Sequence, residues 1–540
     1  MLEISELKLP VDHTPEALHA AAAEVLQLRP ADLLTVAIHK RAIDARRGKV
    51  RLSYTLHVTV RDESTALASF RKELARVTSC AERAYDLPWL AASPPPAPSM
   101  RPVIAGTGPC GLFCGLVLAR AGWKPIVLER GKPAGPRARD VTGFWRRGLD
   151  FNPESNVQFG EGGAGTFSDG KLYTQIRDRE NRIPWILREL VRAGAPEDIL
   201  IKARPHIGTD RLIKVVRTIR EEIESLGGTV RFETLLDEVL LKDGAVSGVR
   251  LASGEVINTD RVILAVGHSA RETFAMLHRA GVFLEAKPLS ICVRIEHPQS
   301  LIDRTQFGNW AGNPLLGAAP YKFAHHGRGG RTAYSFCMCP GGLVVAAGSE
   351  PDTVVTNGMS SYARAEANAN SGFMVDVQPA DYGGEGPLAG IAFQRYWEKR
   401  AFTVGGGGYR APVQTVGDFL ARRATKALAS VPCSYQPGVS PADLRECLPP
   451  WVVTALREAI PAIDRNLSGF AHPDAVLVGV ETRSSSPVRI TRHEDTLQSI
   501  STPGLYPAGE GAGYAGGIIS AAVDGMRVAE RLLGGRESVR

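Results

Sequence analysis

The sequence predicts an α/β chain: a parallel sheet of βα units, interrupted by an inserted α+β region and preceded by a small α/β module. Three observations predict it. Arg101–Ala105 reads RPVIA, an apolar strand, and runs directly into Gly106-Thr107-Gly108-Pro109-Cys110-Gly111, a helical stretch Leu112–Ala121 and a second strand Pro125–Leu128 closed by Glu129. Val262–Gly267 reads VILAVG, a strand ending in small residues, and Leu505–Gly517 reads LYPAGEGAGYAGG before a helical stretch Ile518–Leu533. From Val50 to Val60 apolar and polar residues alternate without a break, the period of a half-buried strand.

At about 150 residues per domain, a chain of 540 residues holds roughly three to four domains. Hydrophobic residues make up 44% and charged residues 22%, which excludes wholesale disorder, collagen and a coiled coil. The 56 glycines exceed the usual share of about 7%, so many tight turns or close backbone approaches are expected. A net charge of +7 from 64 basic and 57 acidic residues is mild at this length; it allows anionic ligands without indicating nucleic-acid binding. No apolar run approaches 18 residues and the N-terminus lacks a basic and then apolar leader, so neither a transmembrane helix nor a secretory signal is expected. Eight scattered cysteines suit a reduced, cytoplasmic protein.

The expected organisation is a small N-terminal α/β module over 1–87, a Pro-rich linker over 88–99, a first nucleotide-binding part over 100–285, an inserted substrate or cap domain over 286–454 and a C-terminal return to the first fold over 455–540. In the module, Leu2–Leu9 reads as a strand, Thr14-Pro15-Glu16 as a helix start, and Glu63–Ser79 as a closing helix, giving the order β-α-β-β-α. His39–Leu52 carries Lys40, Arg41, Arg46, Arg47, Lys49 and Arg51 against Asp44 alone. Such a cluster could dock RNA, but residues 1–99 carry 13 basic and 12 acidic side chains, and a charged hairpin tip is the more economical reading. Nucleic acid is therefore not an expected partner, and an RNA-associated role docking through this module stands only as the alternative function.

In the strand–turn–helix each glycine has a physical job. Gly106 permits the sharp turn, Gly108 lets a pyrophosphate approach the backbone, and Gly111 lets helix and strand pack closely. The helix N-terminus offers free N–H groups and the positive end of its dipole. Glu129 stands 18 residues after Gly111, placed to accept ribose hydroxyls. With a strand before it and a helix and second strand after it, the fingerprint is a strong signal for a dinucleotide. No second fingerprint exists; the tetraglycine Gly405–Gly408 lacks the strand and helix that would make it one. A separate NAD(P)H domain is not expected, although a transient meeting with NAD(P)H stays open.

With GEGGAGTFSDGKL at Gly160–Leu172, VILAVG and the AGE segment in place, residues 100–540 resemble the flavoproteins of the glutathione-reductase structural class. That resemblance implies a glutathione-reductase-type FAD-binding Rossmann fold wrapping one extended FAD. More narrowly, SDGKL (168–172), FCMCPGG (336–342), VVTNGMS (354–360), ANANSG (367–372) and VETRSSSPVRI (480–490) are similar to the bacterial family of FAD-dependent dehydrogenases or NAD(P)/FAD-dependent oxidoreductases. The resemblance implies that Gly106, Gly108, Pro109, Cys110 and Gly111 touch the pyrophosphate and that Glu129 and Arg130 hold the adenosine ribose. It further implies contacts from Gly162, Gly163, Thr166, Ser168, Ala265 and Gly267, with Leu236, on a strand running from Thr229 towards Val239, at the adenine edge. Gly509 and Glu510 would approach the ribityl chain, and Gly517-Ile518 would aim a helix N-terminus at the flavin ring. Many relatives carry Asp where Glu510 stands.

For the chemistry, FAD carries the hydride and the protein positions a small-molecule, possibly anionic, substrate. Cys337 and Cys339 in Cys337-Met338-Cys339-Pro340 could form a strained disulfide or present a thiolate to the flavin; the alternative is a buried strand end with small apolar fillers. Lys171 could neutralise a reduced flavin or bind an acidic substrate, or be a solvated loop charge. Arg483, with Arg489, could clamp a carboxylate or form a structural salt bridge. His268 is a general acid or, more economically, a loop histidine. Cys110 and Cys114 sit one turn apart on the first helix and read as packing residues. No metal-ligand spacing is present, so no metal is expected.

Overall fold

The computed structural model describes residues 1–81, 85 and 96–534; the greater part of the expected linker, 88–95, lies outside them. Five short strands form a parallel sheet in the spatial order Leu505–Pro507, Val262–Leu264, Val103–Ala105, Ile126–Leu128, Thr229–Arg231. Val103, Ile104, Val262, Ile263, Leu264 and Leu505 are fully buried, as parallel strands covered on both faces must be. Two helices, Pro109–Arg120 and Ile518–Leu532, pack on each other beside this sheet. Their close approach depends on Gly525, where any side chain would overlap the Cys110 carbonyl. The turns at 106–108, 265–268 and 508–511 all leave the C-terminal ends of these strands, the edge at which open α/β sheets hold ligands.

The inserted region is a seven-stranded sheet in the order Ala324–His326, Thr332–Cys339, Asn368–Val377, Leu289–Pro298, Val476–Glu481, Ala411–Thr415, Val439–Pro441. Every pairing is antiparallel except the last, which is parallel. Val476–Glu481 corrects the expected boundary at 455. It pairs with Leu289–Pro298, so the chain leaves the inserted sheet only after Glu481 and regains the parallel sheet at Leu505. The second correction concerns Leu236, which starts a separate three-stranded antiparallel sheet, Leu236–Lys242, Ala245–Leu251, Val256–Asn258. The strand expected from Thr229 onwards is thus two strands, broken at Phe232–Leu235.

The N-terminal module is a four-stranded antiparallel sheet in the order Leu33–Asp44, Arg51–Val60, Leu2–Leu9, Arg76–Ser79, with helices Pro15–Leu26 and Glu63–Ser69. Leu52, Tyr54, Leu56, Val58 and Val60 form its inner face. The closing helix ends ten residues earlier than expected because Phe70 turns extended and the β-branched Val77-Thr78 pair becomes the edge strand against Leu2–Ser5. Asp44 sits inside the basic run, bonded to Lys8 at 2.9 Å and Arg46 at 2.7 Å.

Candidate cofactor and active site

The fingerprint turn is built as tightly as its composition allows. Gly106 has a φ of +108°, and a Cβ on it would overlap the Ala265 carbonyl of the neighbouring turn. A Cβ on Gly111 would overlap the Gly106 carbonyl oxygen. Gly108 is different: a Cβ there would meet only Gly163 Cα, at 4.0 Å. Gly108 is also the N-cap of the first helix, which has Pro109 at its first position, no side-chain cap and no acid in its first turn. The C-terminal helix starts the same way, from Gly517 at φ +93° with no side-chain cap and no first-turn acid. Two helix N-termini thus keep amide groups that no side chain satisfies, the arrangement that binds phosphate and other anions. Gly267 and Gly517 both face open space on their Cβ side.

One loop joins these ends. Gly162 N–H donates to the Thr107 carbonyl at 3.0 Å, and Gly163 lies against Gly108. A Cβ on Gly165 would be in contact with Ile518 at 3.3 Å and Pro109 at 3.9 Å, so this loop lies between the two helix starts. Thr166 and Ser168 serve the loop itself: Thr166 Oγ1 donates to the Glu161 carbonyl at 3.1 Å and Ser168 Oγ to the Gly165 carbonyl at 2.7 Å. Cys110 is buried against Gly509 and Gly525, and burial raises the thiols of Cys110 and Cys114. Neither has the character of a reactive thiolate.

Glu129 is buried and its carboxylate accepts from Thr107 N–H at 3.0 Å, Thr107 Oγ1 at 2.5 Å, Gly131 N–H at 2.9 Å and Gly160 N–H at 2.9 Å. These use the four acceptor sites of a carboxylate, so a ribose hydroxyl would have to exchange with one of these donors. Arg130 lies over Phe159, 3.9 Å from the ring centroid, and pairs with Glu154 and Glu272. Leu236 is buried in its own sheet, where it pairs with Leu251. At the AGE turn, Gly509 N–H donates to Asp524 at 2.7 Å, and Arg492 clamps the same carboxylate. Nothing in the local sequence signalled Asp524, an acid on the buried face of a helix. Burial pushes the Glu510 carboxyl up to about 7 against the Gly517 amide and Lys287.

The catalytic candidates converge in part. Lys171 Nζ lies 3.7 Å from Cys339 Sγ and 3.1 Å from Asp169, so two motifs 168 residues apart meet. Burial works against the Lys171 charge, but Asp169 and the two cysteines outweigh it and hold it above the usual lysine range. Asp169 is itself buried, gripped by Arg364 through both oxygens and by the Ser360 hydroxyl. Burial opposes its charge too, yet Lys171 and Arg364 keep its carboxyl below the ordinary range. Ser360 closes VVTNGMS, while Arg364, four residues further on, was not singled out in the sequence.

Cys337 is exposed, while Cys339 is buried. Protein still surrounds Cys337 closely enough for burial to push its thiol up to about 11 against Lys171 and Arg294. Its backbone has a φ of +43°, and the fully buried Arg294 holds its carbonyl at 2.9 Å. Arg294 in turn is bonded to Glu481 through both carboxylate oxygens, at 2.5 and 3.0 Å. Both thiols are unpaired, and burial raises both of them.

Arg483 is a correction. Its guanidinium donates to Glu398 at 3.1 and 3.0 Å and to Ser349, and it is buried. Arg271 takes both oxygens of the same Glu398, at 3.0 and 2.7 Å. Arg483 is therefore bound into a structural network and not free to clamp a substrate. Arg489 instead has a buried Nε with no hydrogen-bond partner and lies over Tyr514, 5.4 Å from the ring centroid. His268 shares a hydrogen bond with Ser269 Oγ at 3.0 Å, and burial with the nearby Arg483 and Arg271 pushes it down to about 3. It stays neutral at neutral pH and cannot serve as a cationic acid.

A family model described as "FAD-dependent protein, C-terminal domain-like" matches residues 288–484, the inserted sheet, and a Domain of unknown function (DUF8436) matches residues 1–59. An uncharacterized protein of Clostridium beijerinckii is 44% identical over 540 residues, covering 98% of each chain. Protein FixC of Escherichia coli K12 is 28% identical over 231 residues, 40% of this chain and 49% of that protein. Among solved structures, L-proline dehydrogenase from P. horikoshii aligns with a TM-score of 0.35 at 12% identity, over 82% of this chain and 96% of that one. Glycine oxidase from Geobacillus kaustophilus aligns with a TM-score of 0.37 at 11% identity, over the same shares. No helix among the described residues is long and apolar enough to cross a membrane.

Proposed function

Because this chain belongs to a family of FAD-dependent proteins, with FAD as its cofactor, we propose that it is an oxidoreductase of glutathione-reductase-type Rossmann architecture. A small-molecule substrate would bind between the parallel sheet and the seven-stranded insertion and exchange a hydride with flavin N5. The observation that carries this reading is the loop Gly160–Leu172. It touches both uncapped helix starts through Gly163 and Gly165 and delivers Lys171 to Cys339.

The residues fit FAD. Gly108 is the one fingerprint glycine whose Cβ position is free, so a pyrophosphate can approach there, and the N–H groups of Cys110 and Gly111 have no competing cap. The N-terminus at Gly517-Ile518 would favour negative charge on a ring held before it. FAD, when bound, supplies the hydride chemistry. Lys171, kept charged by Asp169, would hold an anionic group of the substrate. Cys337, kept protonated at neutral pH, would donate a hydrogen bond to it. Glu510 is the group placed to give or take a proton near pH 7, since an acid–base catalyst works best when its pKa lies near the working pH. The Arg294–Glu481 pair would position Cys337 without touching substrate.

The test is anaerobic stopped-flow spectroscopy of the flavin-loaded protein with NADH, NADPH and a panel of small carboxylates and amines. Bleaching of flavin absorbance by at least one donor, slowed in Lys171→Met, is expected. If no donor bleaches the flavin, the oxidoreductase reading fails.

A further inference from the structure

We propose that the outer face of the N-terminal sheet binds one divalent transition-metal ion, of the zinc class, through Glu3, His39 and His57. The three side chains come from three adjacent strands. Glu3 and His57 are direct cross-strand partners, with His57 Nε2 3.5 Å from Glu3 Oε2. His39 arrives from the other side of His57, at the irregularity between Ile38 and Lys40. There the extra residue of a bulge re-aims a side chain and brings the His39 ring over that of His57, centroids 4.1 Å apart and 15° from parallel.

One donor atom from each residue lies within 4.8 Å of the others. A tetrahedral ion with bonds of 2.0–2.1 Å needs donors about 3.3 Å apart, so rotation of these surface side chains closes the site. Two imidazoles and a carboxylate suit zinc and its borderline neighbours better than calcium or magnesium. Three protein ligands leave a position for water. Among the described residues no other cluster of histidine, cysteine and acid meets this spacing, and all three lie within the segment 1–59 matched by the domain of unknown function.

The test uses the full-length, FAD-loaded protein stripped with chelator, then titrated with zinc chloride against a chromophoric competitor. One equivalent of zinc is expected. His39→Gln and His57→Gln should each weaken it by more than the roughly 10–100-fold that loss of an outer-shell partner costs, with circular dichroism and flavin content unchanged. Cys337→Ser should bind zinc as the parent does. No binding, binding that survives both histidine substitutions, or binding lost with Cys337 would each overturn the proposal.

Discussion

Gly108 and Gly111 stand three residues apart in one turn, and the structure assigns them opposite sensitivities. At Gly108 an alanine Cβ meets nothing closer than Gly163 Cα at 4.0 Å, and the backbone, φ −66° and ψ 176°, suits any residue. Gly108→Ala should therefore cost the apoprotein no more than about 1 kcal/mol, the price of a poorer N-cap. The methyl group would occupy the side from which a pyrophosphate approaches. Overpacking of about 1–3 kcal/mol, at 1.4 kcal/mol per tenfold, predicts FAD binding weaker by about 5- to 140-fold. At Gly111 the Cβ would overlap the Gly106 carbonyl oxygen and stand 3.0 Å from its carbon. Both partners are backbone, and neither can rotate away. Gly111→Ala should lose about 2 kcal/mol or more of stability even without cofactor. The assay is paired: the visible flavin-to-protein ratio after gel filtration, and melting of the deflavinated protein. A Gly108→Ala protein that melts like its parent and retains FAD undiminished would refute the placement of the pyrophosphate.

Glu398→Gln should destabilise by about 3–5 kcal/mol, because it leaves the buried Arg271 and Arg483 without the carboxylate that both of them clamp; a urea midpoint equal to the parent's would contradict this. Burial pushes His206 and His297 down to about 4. Each is neutral when folded and takes a proton when unfolded below the ordinary histidine pKa of about 6.5, so each should remove up to about 1.4 kcal/mol per pH unit as pH falls from there towards 4. Glu510, raised to about 7, contributes with the opposite sign, its share being lost as pH rises through 7. Melting between pH 7.5 and 5 should show a fall that becomes shallower in His206→Gln, and a flat profile would count against buried neutral histidines. Alkylation of Cys337 in the apoprotein should climb about tenfold per pH unit towards pH 11 and slow further in Lys171→Met, which removes a cation that favours the thiolate; a plateau below pH 9, read by mass spectrometry, would exclude the raised thiol.

What the sequence made legible follows from the range of the interactions involved. The fingerprint turn is local: two strands, a turn and a helix within 30 residues, each requirement written as glycine or an apolar run. The inserted sheet is not local. Leu289–Pro298 lies between Asn368–Val377 and Val476–Glu481, and no window of sequence contains that pairing. Asn370 and Ser371, polar residues of Asn368–Val377, are fully buried. Their partners are distant in sequence: Asn370 Oδ1 accepts from Arg294 at 3.3 Å and Ser371 Oγ donates to the Phe336 carbonyl at 3.3 Å, while the buried Asn370 Nδ2 has no hydrogen-bond partner. Arg483 misled for the same reason, since its partner Glu398 is 85 residues away. The Glu3–His39–His57 cluster was invisible to a search by spacing, because strand pairing rather than sequence distance sets its geometry.

These two ranges divide the site between two parts of the chain. The fingerprint and C-terminal turns offer backbone amides, which any dinucleotide of the right length can use and which carry no information about substrate. The side chains with chemical identity come from elsewhere. Lys171 is at the end of the connecting loop, and Cys337 is set at a positive φ with its carbonyl held by Arg294. Cofactor retention and turnover should accordingly separate under mutation. A change at Gly108 should act on how much flavin stays. A change at Arg294, Glu481 or Arg364 should act on how the thiol and the ammonium group are aimed, with flavin still bound. Arg294→Lys keeps the charge but forfeits the fork that grips Glu481 and the Cys337 carbonyl together. It should therefore leave the flavin spectrum in place while changing the rate at which Cys337 is alkylated. Loss of flavin without any change in that rate would show that the pair supports the cofactor rather than the thiol.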